Sequence, residues 1–195
     1  EDNGLAENTL VIYTSDQGFY LGEHGWFDKR FIYEESFQMP FIARWPARIP
    51  AGRSSDAMAQ NTDFAQTFLD AAGLTQPSYM QGRSLLPVLE GEAPADWPDL
   101  AYHRYWMHRD PIHNAYAHYG IRTHDYKLIY WYNDDLGQKG AQPGGEPPEW
   151  ELFDLKKDPN ELHNVYHDPE YAKTVREMTA KLDAKMVEIG DTPMH

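Results

Sequence analysis

Two short apolar runs in the first part of the chain predict strands. Residues 8–14 are apolar and rich in β-branched side chains, and they lack the alternation of a strand with one exposed face. Such a run is typical of a strand that is covered on both faces in a parallel sheet. Residues 41–44 predict a second strand, and residues 30–37, which are followed by Pro40, predict a short helix. These elements together indicate an α/β fold.

A longer helix is predicted over residues 63–72. Asp63 is suited to cap its first turn, and Gln66, three residues later, completes a capping-box pattern. Apolar side chains recur on one face of this segment, and Gly73 marks its end. A further short apolar stretch follows at residues 84–89.

Two prolines within residues 92–99 mark a connector, after which the sequence becomes rich in aromatic residues. We therefore predict two domains, residues 1–95 and residues 96–195. Aromatic-rich segments predict strands in the second domain, at residues 101–107 and at 119–132 as a pair bent through 123–125, and residues 150–155 predict one more strand.

The last predicted element is an amphipathic helix. Asp168 caps it, Pro169 occupies its first turn and Gly190 ends it. One face carries the apolar residues Tyr171, Val175, Met178, Leu182, Met186 and Ile189. The fold class is therefore α/β, with part of an α/β sheet followed by a small α+β subdomain that has an antiparallel sheet and a C-terminal helix.

Composition excludes several classes of protein and site. The 195 residues include 31 acidic and 17 basic side chains, which gives a formal net charge of −14 and argues against a nucleic-acid groove or an anionic membrane surface. No apolar run approaches the roughly 20 residues of a membrane span. The absence of cysteine excludes disulfides and zinc–thiolate sites in this chain. An aromatic content of 14% argues against a disordered chain.

Candidate chemistry is concentrated just after the first predicted strand. Asp16 and Gln17 place a carboxylate and an amide carbonyl at the strand end, and such oxygen donors suit Ca²⁺ or Mg²⁺ better than Zn²⁺. Lys29 and Arg30 come within reach of them if the glycine-marked loop 18–25 folds back. A metal ion and a lysine would neutralise a tetrahedral oxyanion such as sulfate or phosphate. Taken alone, the same residues also fit an ordinary turn.

The segment from Thr14 to Ser36 resembles the sulfatases that use a formylglycine nucleophile, within the alkaline-phosphatase-like superfamily. The Ser-Asp-Gln-Gly element and the Asp28-Lys-Arg-Phe-Ile-Tyr-Glu34 run carry the resemblance. Residues 39–46, 61–73, 82–87 and 151–164 are similar to later family segments, in the same order. The resemblance implies that Asp16 and Gln17 are calcium ligands, with Mg²⁺ or Mn²⁺ as alternatives. It also implies that Lys29 is a catalytic residue that binds the sulfate group.

The family's Cys/Ser-x-Pro-x-Arg motif, which yields formylglycine, does not occur in this sequence, and the paired aspartates of the family's metal site are missing too. The resemblance thus predicts the C-terminal part of a longer sulfatase, inactive by itself and completed by an N-terminal half. Unpaired strand edges predict self-association of the isolated chain, or partial order in its N-terminal third. A periplasmic, secreted or lysosomal location is implied by the family.

The substrate implied by the resemblance is a sulfated carbohydrate. Residues 117–129 and 149–154 resemble the branch that acts on N-acetylglucosamine 6-sulfate in glycosaminoglycan or mucin glycans. We predict substrate contacts from His24, Arg30 and His118. His24 would line the pocket or only support its loop, and His118 would contact a sugar or simply be solvated at a strand edge. Four aromatic residues, Tyr105, Trp106, Tyr119 and Trp131, would stack on sugar rings or belong to the core.

Two other functions remain open. A phosphodiester or phosphonate monoester hydrolase would share the fold, but these relatives usually carry a histidine nitrogen ligand where Gln17 stands, so calcium and a sulfate ester are favoured. A non-catalytic carbohydrate-binding module would retain the fold without the chemistry.

Overall fold

The computed structural model describes all 195 residues and contains six strands and four α-helices. In chain order the elements are β1 Val11–Tyr13, α1 Glu34–Phe37, β2 Ile42–Arg44, α2 Asn61–Ala71, α3 Leu86–Glu90, β3 Leu100–Tyr105, β4 His118–Thr123, β5 Tyr126–Trp131, β6 Glu149–Asp154 and α4 Ala172–Ile189.

The chain forms two compact units. One comprises Glu1–Asp16 and Met39–Asp99, and the other comprises Gln17–Gln38 and Leu100–His195. The segment after β1, which holds most of the candidate chemistry, therefore folds with the C-terminal sheet. The division into domains at residues 95 and 96 stays a prediction. None of the helices combines the length and the apolar character needed to cross a bilayer.

In the first unit, β1 and β2 form a two-stranded antiparallel pair, with Val11 opposite Arg44 and Tyr13 opposite Ile42. Side chains at both ends of β1 are exposed, and only Ile12 between them is partly buried. The predicted strand is thus present, but the prediction of parallel pairing and of burial on both faces is wrong. An apolar run indicates a strand but does not select its partner, which depends on long-range contacts. Self-association stays a prediction.

The helix α2 begins two residues earlier than predicted. Gln60 precedes it, and the buried Asp63 lies in its first turn, where a carboxylate oxygen accepts a 2.8 Å hydrogen bond from the Gln60 backbone N–H. The other Asp63 oxygen accepts the Arg83 backbone N–H at 2.9 Å. Asp63 is therefore not the N-cap, and Gln66 instead reaches the Met80 carbonyl. The predicted start was wrong because the distant Arg83 segment fixes Asp63 inside the helix.

The second unit is built on a four-stranded antiparallel sheet in the order β3-β4-β5-β6. The predicted bent strand pair is confirmed as β4 and β5, joined where Thr123 Oγ1 accepts the Tyr126 backbone N–H. The C-terminal helix is confirmed as well. Asp168 caps a 3₁₀ turn that leads into α4, and Gly190 ends α4 with a φ of +75°.

Both faces of this sheet are covered, which explains why β5 is buried along nearly its whole length. On one face, α4 packs through Met178, Leu182 and Met186 against a core that includes Leu128 and Tyr130. On the other face, Ile129, Trp131 and Phe153 pack with Ile32, and Phe31 and Tyr33 flank them. The segment 17–38 is therefore an integral layer of this unit.

Candidate functional site

Residues 17–38 form a closed loop whose two ends meet. The Gly18 backbone N–H donates to the Ser36 carbonyl at 2.8 Å, and the Tyr20 N–H donates to the Asp28 carbonyl at 2.8 Å. A Cβ on Gly18 would lie only 2.0 Å from the Glu35 carbonyl oxygen, so the closure requires glycine there. The glycine-marked segment thus folds back on itself, and Lys29 and Arg30 lie in a loop that these backbone hydrogen bonds close.

Asp16 and Gln17 lie at the start of this loop. Asp16 is exposed, and its Oδ1 accepts a 3.3 Å hydrogen bond from Ser15 Oγ. Its backbone carbonyl accepts Asn61 Nδ2 at 2.8 Å, which anchors the strand end to the start of α2. Gln17 is partly buried. The two side chains offer the oxygen chemistry that Ca²⁺ prefers, but they are only part of its six to eight ligands. The chain contains no group of three or more acidic or histidine side chains arranged to hold an ion.

Lys29 is held through its backbone. Its carbonyl oxygen accepts a 2.8 Å hydrogen bond from Ser36 Oγ, and Ser36 is fully buried in α1. The Lys29 side chain is partly buried. Because the backbone of Lys29 is hydrogen-bonded to a helix on the opposite arm of the loop, its flexible side chain starts from a fixed position. This placement suits a side chain that delivers a point charge to an anion.

Arg30 is held at two points of its guanidinium group. Nη1 forms an ion pair with Asp28 Oδ1 at 2.8 Å, and Nη2 donates to His113 Nε2 at 2.8 Å. His113 Nδ1 in turn lies 2.9 Å from Asp110 Oδ1, so the ring donates from Nδ1 and accepts at Nε2. Tyr105 donates to Asp110 Oδ2 at 3.0 Å and completes the chain of contacts.

The residues that hold the Arg30 side chain, Asp28, His113 and Asp110, were not predicted from the sequence. Burial opposes ionisation of Asp110, but hydrogen bonds from the backbone N–H groups of His113 and Ile112 and from the Tyr105 and His113 side chains together outweigh it, and the pKa of this carboxyl lies below its ordinary value. An ionised Asp110 keeps the proton of His113 on Nδ1. Asp28 is adjacent to the lysine motif and could have been noticed, whereas Asp110 and His113 lie about 80 residues away in a segment without a recognisable pattern.

His24 supports the closed loop. It lies in a short 3₁₀ turn with a φ of +52°, and its ring stacks on Tyr33 at 4.4 Å between centroids. Its Nε2 lies 3.4 Å from Glu35 Oε2. These contacts join the turn to α1, which agrees with the supporting role that the sequence left open. A contact between His24 and substrate stays a prediction.

His118 is fully buried, so the expectation of a solvated position at a strand edge is wrong. The reason is topological, because β4 is an inner strand between β3 and β5. The ring lies 4.5 Å from that of Trp131, and Nδ1 is 2.8 Å from the Tyr116 carbonyl. Burial, with a contribution from His103, lowers the pKa of His118 to about 3, so the ring is neutral. A sugar contact gains no support from this position.

Two of the four aromatic candidates for sugar stacking belong to the core. Tyr119 and Trp131 are buried, on opposite faces of the sheet. Tyr105 is engaged with Asp110, and Trp106 is partly exposed with the Arg104 guanidinium 4.0 Å from its ring centroid.

Comparison with known proteins identifies the family. Residues 22–188 match the family model described as N-sulphoglucosamine sulphohydrolase, C-terminal. The chain is 48% identical over 193 residues to an N-acetylglucosamine-6-O-sulfatase of Bacteroides thetaiotaomicron, covering 98% of this chain and 32% of that protein. It is 31% identical to arylsulfatase K of Xenopus laevis, covering 98% of this chain and 33% of the relative.

Solved structures agree with this result. BT4656, solved in complex with its substrate D-glucosamine-2-N,6-O-disulfate, has a TM-score of 0.87 at 48% identity, over 97% of this chain and 36% of that one. A phosphonate monoester hydrolase of Agrobacterium radiobacter has a TM-score of 0.78 at 28% identity, over 96% and 37%. The chain spans about a third of the length of these relatives. Since the family model covers most of its residues, the chain belongs to the sulfatase family, in the group of N-sulphoglucosamine sulphohydrolase C-terminal regions.

Proposed function

We propose that the protein containing this chain hydrolyses the 6-sulfate ester of a glucosamine-type sugar, such as N-acetylglucosamine 6-sulfate in a glycosaminoglycan or mucin glycan. The observation that carries the proposal is the likeness, at 48% identity over 98% of the chain, to an N-acetylglucosamine-6-O-sulfatase. The nucleophile, a formylglycine, is assigned to a part of the protein outside residues 1–195. A periplasmic, secreted or lysosomal location belongs to the same proposal.

Lys29 is the proposed sulfate-binding residue of this chain. Its ammonium group would offset the negative charge of the sulfuryl group as the bond between sulfur and the sugar oxygen breaks. Asp16 and Gln17 would supply two oxygen ligands to Ca²⁺, for which Mg²⁺ or Mn²⁺ are the alternatives. Bound there, the ion would act as a Lewis acid on the sulfate oxygens. The oxygen-only donor pair supports a hard cation.

Arg30 is the proposed sugar contact. Two of its five N–H donors are used by Asp28 and His113, so the remaining donors are available in a fixed orientation. A guanidinium plane held in this way suits the hydroxyl oxygens of a sugar. A substrate contact by His24 remains part of this proposal, whereas the fully buried His118 is a support within the sheet.

A phosphonate or phosphodiester hydrolase is the second candidate, favoured by the structural likeness to the Agrobacterium enzyme. The test compares the full-length protein on N-acetylglucosamine 6-sulfate and on a phosphonate monoester, with Ca²⁺ or Mn²⁺ supplied after chelation. Faster turnover of the sulfate ester with Ca²⁺ is expected. Preference for the phosphonate with Mn²⁺ would establish the second candidate. Binding of the sugar without turnover would indicate a carbohydrate-binding module.

Substitutions locate the chemistry within the chain. Lys29→Ala is expected to lower kcat by about 10²- to 10³-fold, the usual loss when one stabilising donor of a transition state is removed. Lys173→Ala, at a lysine of α4 whose side chain is 81% exposed, is the matched control and should leave kcat unchanged. Asp16→Asn should weaken Ca²⁺ binding in a calorimetric titration. Wild-type kcat in Lys29→Ala would refute the assignment of the lysine.

A further inference from the structure

A cluster of four charged side chains lies between the sheet and the closed loop. Lys127 of β5 is fully buried, and its Nζ lies 2.8 Å from Glu34 Oε1 and 2.7 Å from Glu161 Oε1. Arg122 of β4 pairs with Glu34 Oε2 at 3.2 Å. Two cationic side chains thus face two acidic ones, and their formal charges cancel. A buried ammonium group without such partners would carry a large desolvation cost.

Glu34, the first residue of α1, is bound to the cluster through both its side chain and its backbone. The Glu34 carboxylate binds the cations of the sheet, while its backbone N–H donates to Glu161 Oε2 at 2.6 Å. Glu161 has a φ of +53°, an unfavourable conformation for a residue with a side chain. Burial opposes ionisation of Glu34, but Lys127 and Arg122 outweigh it and the pKa of Glu34 lies below its ordinary value.

Short contacts lead from this cluster to Lys29. Glu34 begins α1, and two residues later Ser36 donates through Oγ to the Lys29 carbonyl. The Ser36 carbonyl also accepts the Gly18 N–H that closes the loop. The helix α1 has only four residues and makes few internal hydrogen bonds, so its position depends on outside contacts. The ion pairs of Glu34 with Lys127 and Arg122 are contacts of this kind.

We propose that Lys127, with Glu161, is a positioning residue that sets the location of Lys29 by clamping α1 against the sheet. This inference rests on the proposed function, in which Lys29 binds sulfate. Replacing a whole buried ion cluster by apolar groups often costs little stability, whereas removing one partner leaves an uncompensated buried charge and is strongly destabilising. Lys127→Met leaves the Glu34 and Glu161 carboxylates without this cation, so it is expected to lower stability and to lose precision at Lys29.

The experiment uses the full-length protein and the variants Lys127→Met, Lys127→Arg and Glu161→Gln. Lys127→Met should lower kcat by about 10- to 100-fold, as expected when a catalytic group is displaced by about 1 Å, with a smaller change in KM. Lys127→Arg, which retains the charge, should recover most of the activity. Hydrogen exchange of residues 17–38 should accelerate in Lys127→Met. Lys173→Met is the control and should change neither quantity.

A double variant separates positioning from a general structural effect. If Lys127 acts through Lys29, Lys127→Met should cause no further loss of kcat in the Lys29→Ala background. An equal loss in both backgrounds, or unchanged kcat in a folded Lys127→Met protein, would overturn the inference. If Lys127→Met does not fold, Glu161→Gln is judged by the same criteria. Full activity of Lys29→Ala alone would refute the assignment of Lys29, and with it any catalytic role of the clamp, whereas accelerated exchange would still identify the clamp itself.

Discussion

The hydroxyl group of Ser36 donates a 2.8 Å hydrogen bond to the carbonyl oxygen of Lys29. The two residues lie on opposite arms of the closed loop, seven positions apart, and Ser36 is fully buried. A small polar side chain of α1 thus fixes the backbone of the proposed sulfate-binding lysine. The conformation of the loop, rather than the lysine side chain alone, determines where its charge can be delivered.

Ser36→Ala should destabilise the protein and reduce its activity. The change removes the partner of the Lys29 carbonyl, and an unsatisfied buried polar group costs about 1–3 kcal/mol. A lower melting temperature and a reduced kcat are therefore expected. Ser54→Ala, at an exposed serine, is the matched control and should change stability by less than about 0.5 kcal/mol. Equal melting temperatures for the two variants would show that the bond contributes nothing.

Gly18→Ala should open the loop. The added methyl group would lie 2.0 Å from the Glu35 carbonyl oxygen, so one arm must move. We expect faster hydrogen exchange across residues 17–38 and a loss of kcat. Gly4→Ala serves for comparison, since Gly4 has a φ of +69° but no atom within 4 Å of the new Cβ. Its cost should be confined to about 1–2 kcal/mol of backbone strain. Unchanged exchange in Gly18→Ala would contradict the close approach.

Arg30→Lys should raise KM by about tenfold with a smaller effect on kcat, because lysine keeps the charge but lacks the planar fork that Asp28 and His113 hold. His113→Ala should act in the same direction by removing one of the two anchors. Steady-state kinetics on N-acetylglucosamine 6-sulfate would measure both effects. Arg176→Lys, on the exposed side of α4, should behave as the wild type. An unchanged KM in both variants would exclude Arg30 from substrate binding.

The buried His118 should make the fold sensitive to acid. Its pKa falls from 6.5 to about 3 in the folded state, so below pH 6.5 the unfolded chain binds a proton that the folded chain does not. Stability contributed by the neutral ring is therefore lost as the pH falls from 6.5 toward 3, by at most about 1.4 kcal/mol per pH unit. The partly buried His103, whose pKa is lowered to about 4 by desolvation, acts in the same direction.

His118→Gln should flatten this dependence, because glutamine does not titrate. The measurement is the melting temperature of the full-length protein between pH 7 and pH 4. The slope of melting temperature against pH is compared, because the loss of packing at Trp131 lowers the melting temperature at every pH and leaves the slope unchanged. His124→Gln, at the exposed turn between β4 and β5, should keep the wild-type slope. A slope that stays the same in His118→Gln would mean that this ring contributes nothing to acid sensitivity.

Elements with strong local signals were predictable. The α4 stripe, its Asp168 and Gly190 ends and the β4–β5 hairpin follow from periodicity and turn chemistry, which act over a few residues. The start of α2 was not predictable, because Asp63 is held by the distant Arg83 backbone. The pairing of β1 was missed for a similar reason, since β2 lies about 30 residues further along the chain.

The features of the candidate site also divide into those predictable from the sequence and those that depend on distant contacts. The residue types at Asp16, Gln17 and Lys29 and their resemblance to sulfatase motifs are properties of the sequence, which therefore determined the family and the chemistry that is proposed. Tertiary structure alone decided that His118 is buried, that His113 anchors Arg30 and that Lys127 meets Glu34 and Glu161. Each of these contacts joins segments far apart in the chain. Local propensities carry no information about such long-range contacts, which form only when the sheet packs between α4 and the closed loop.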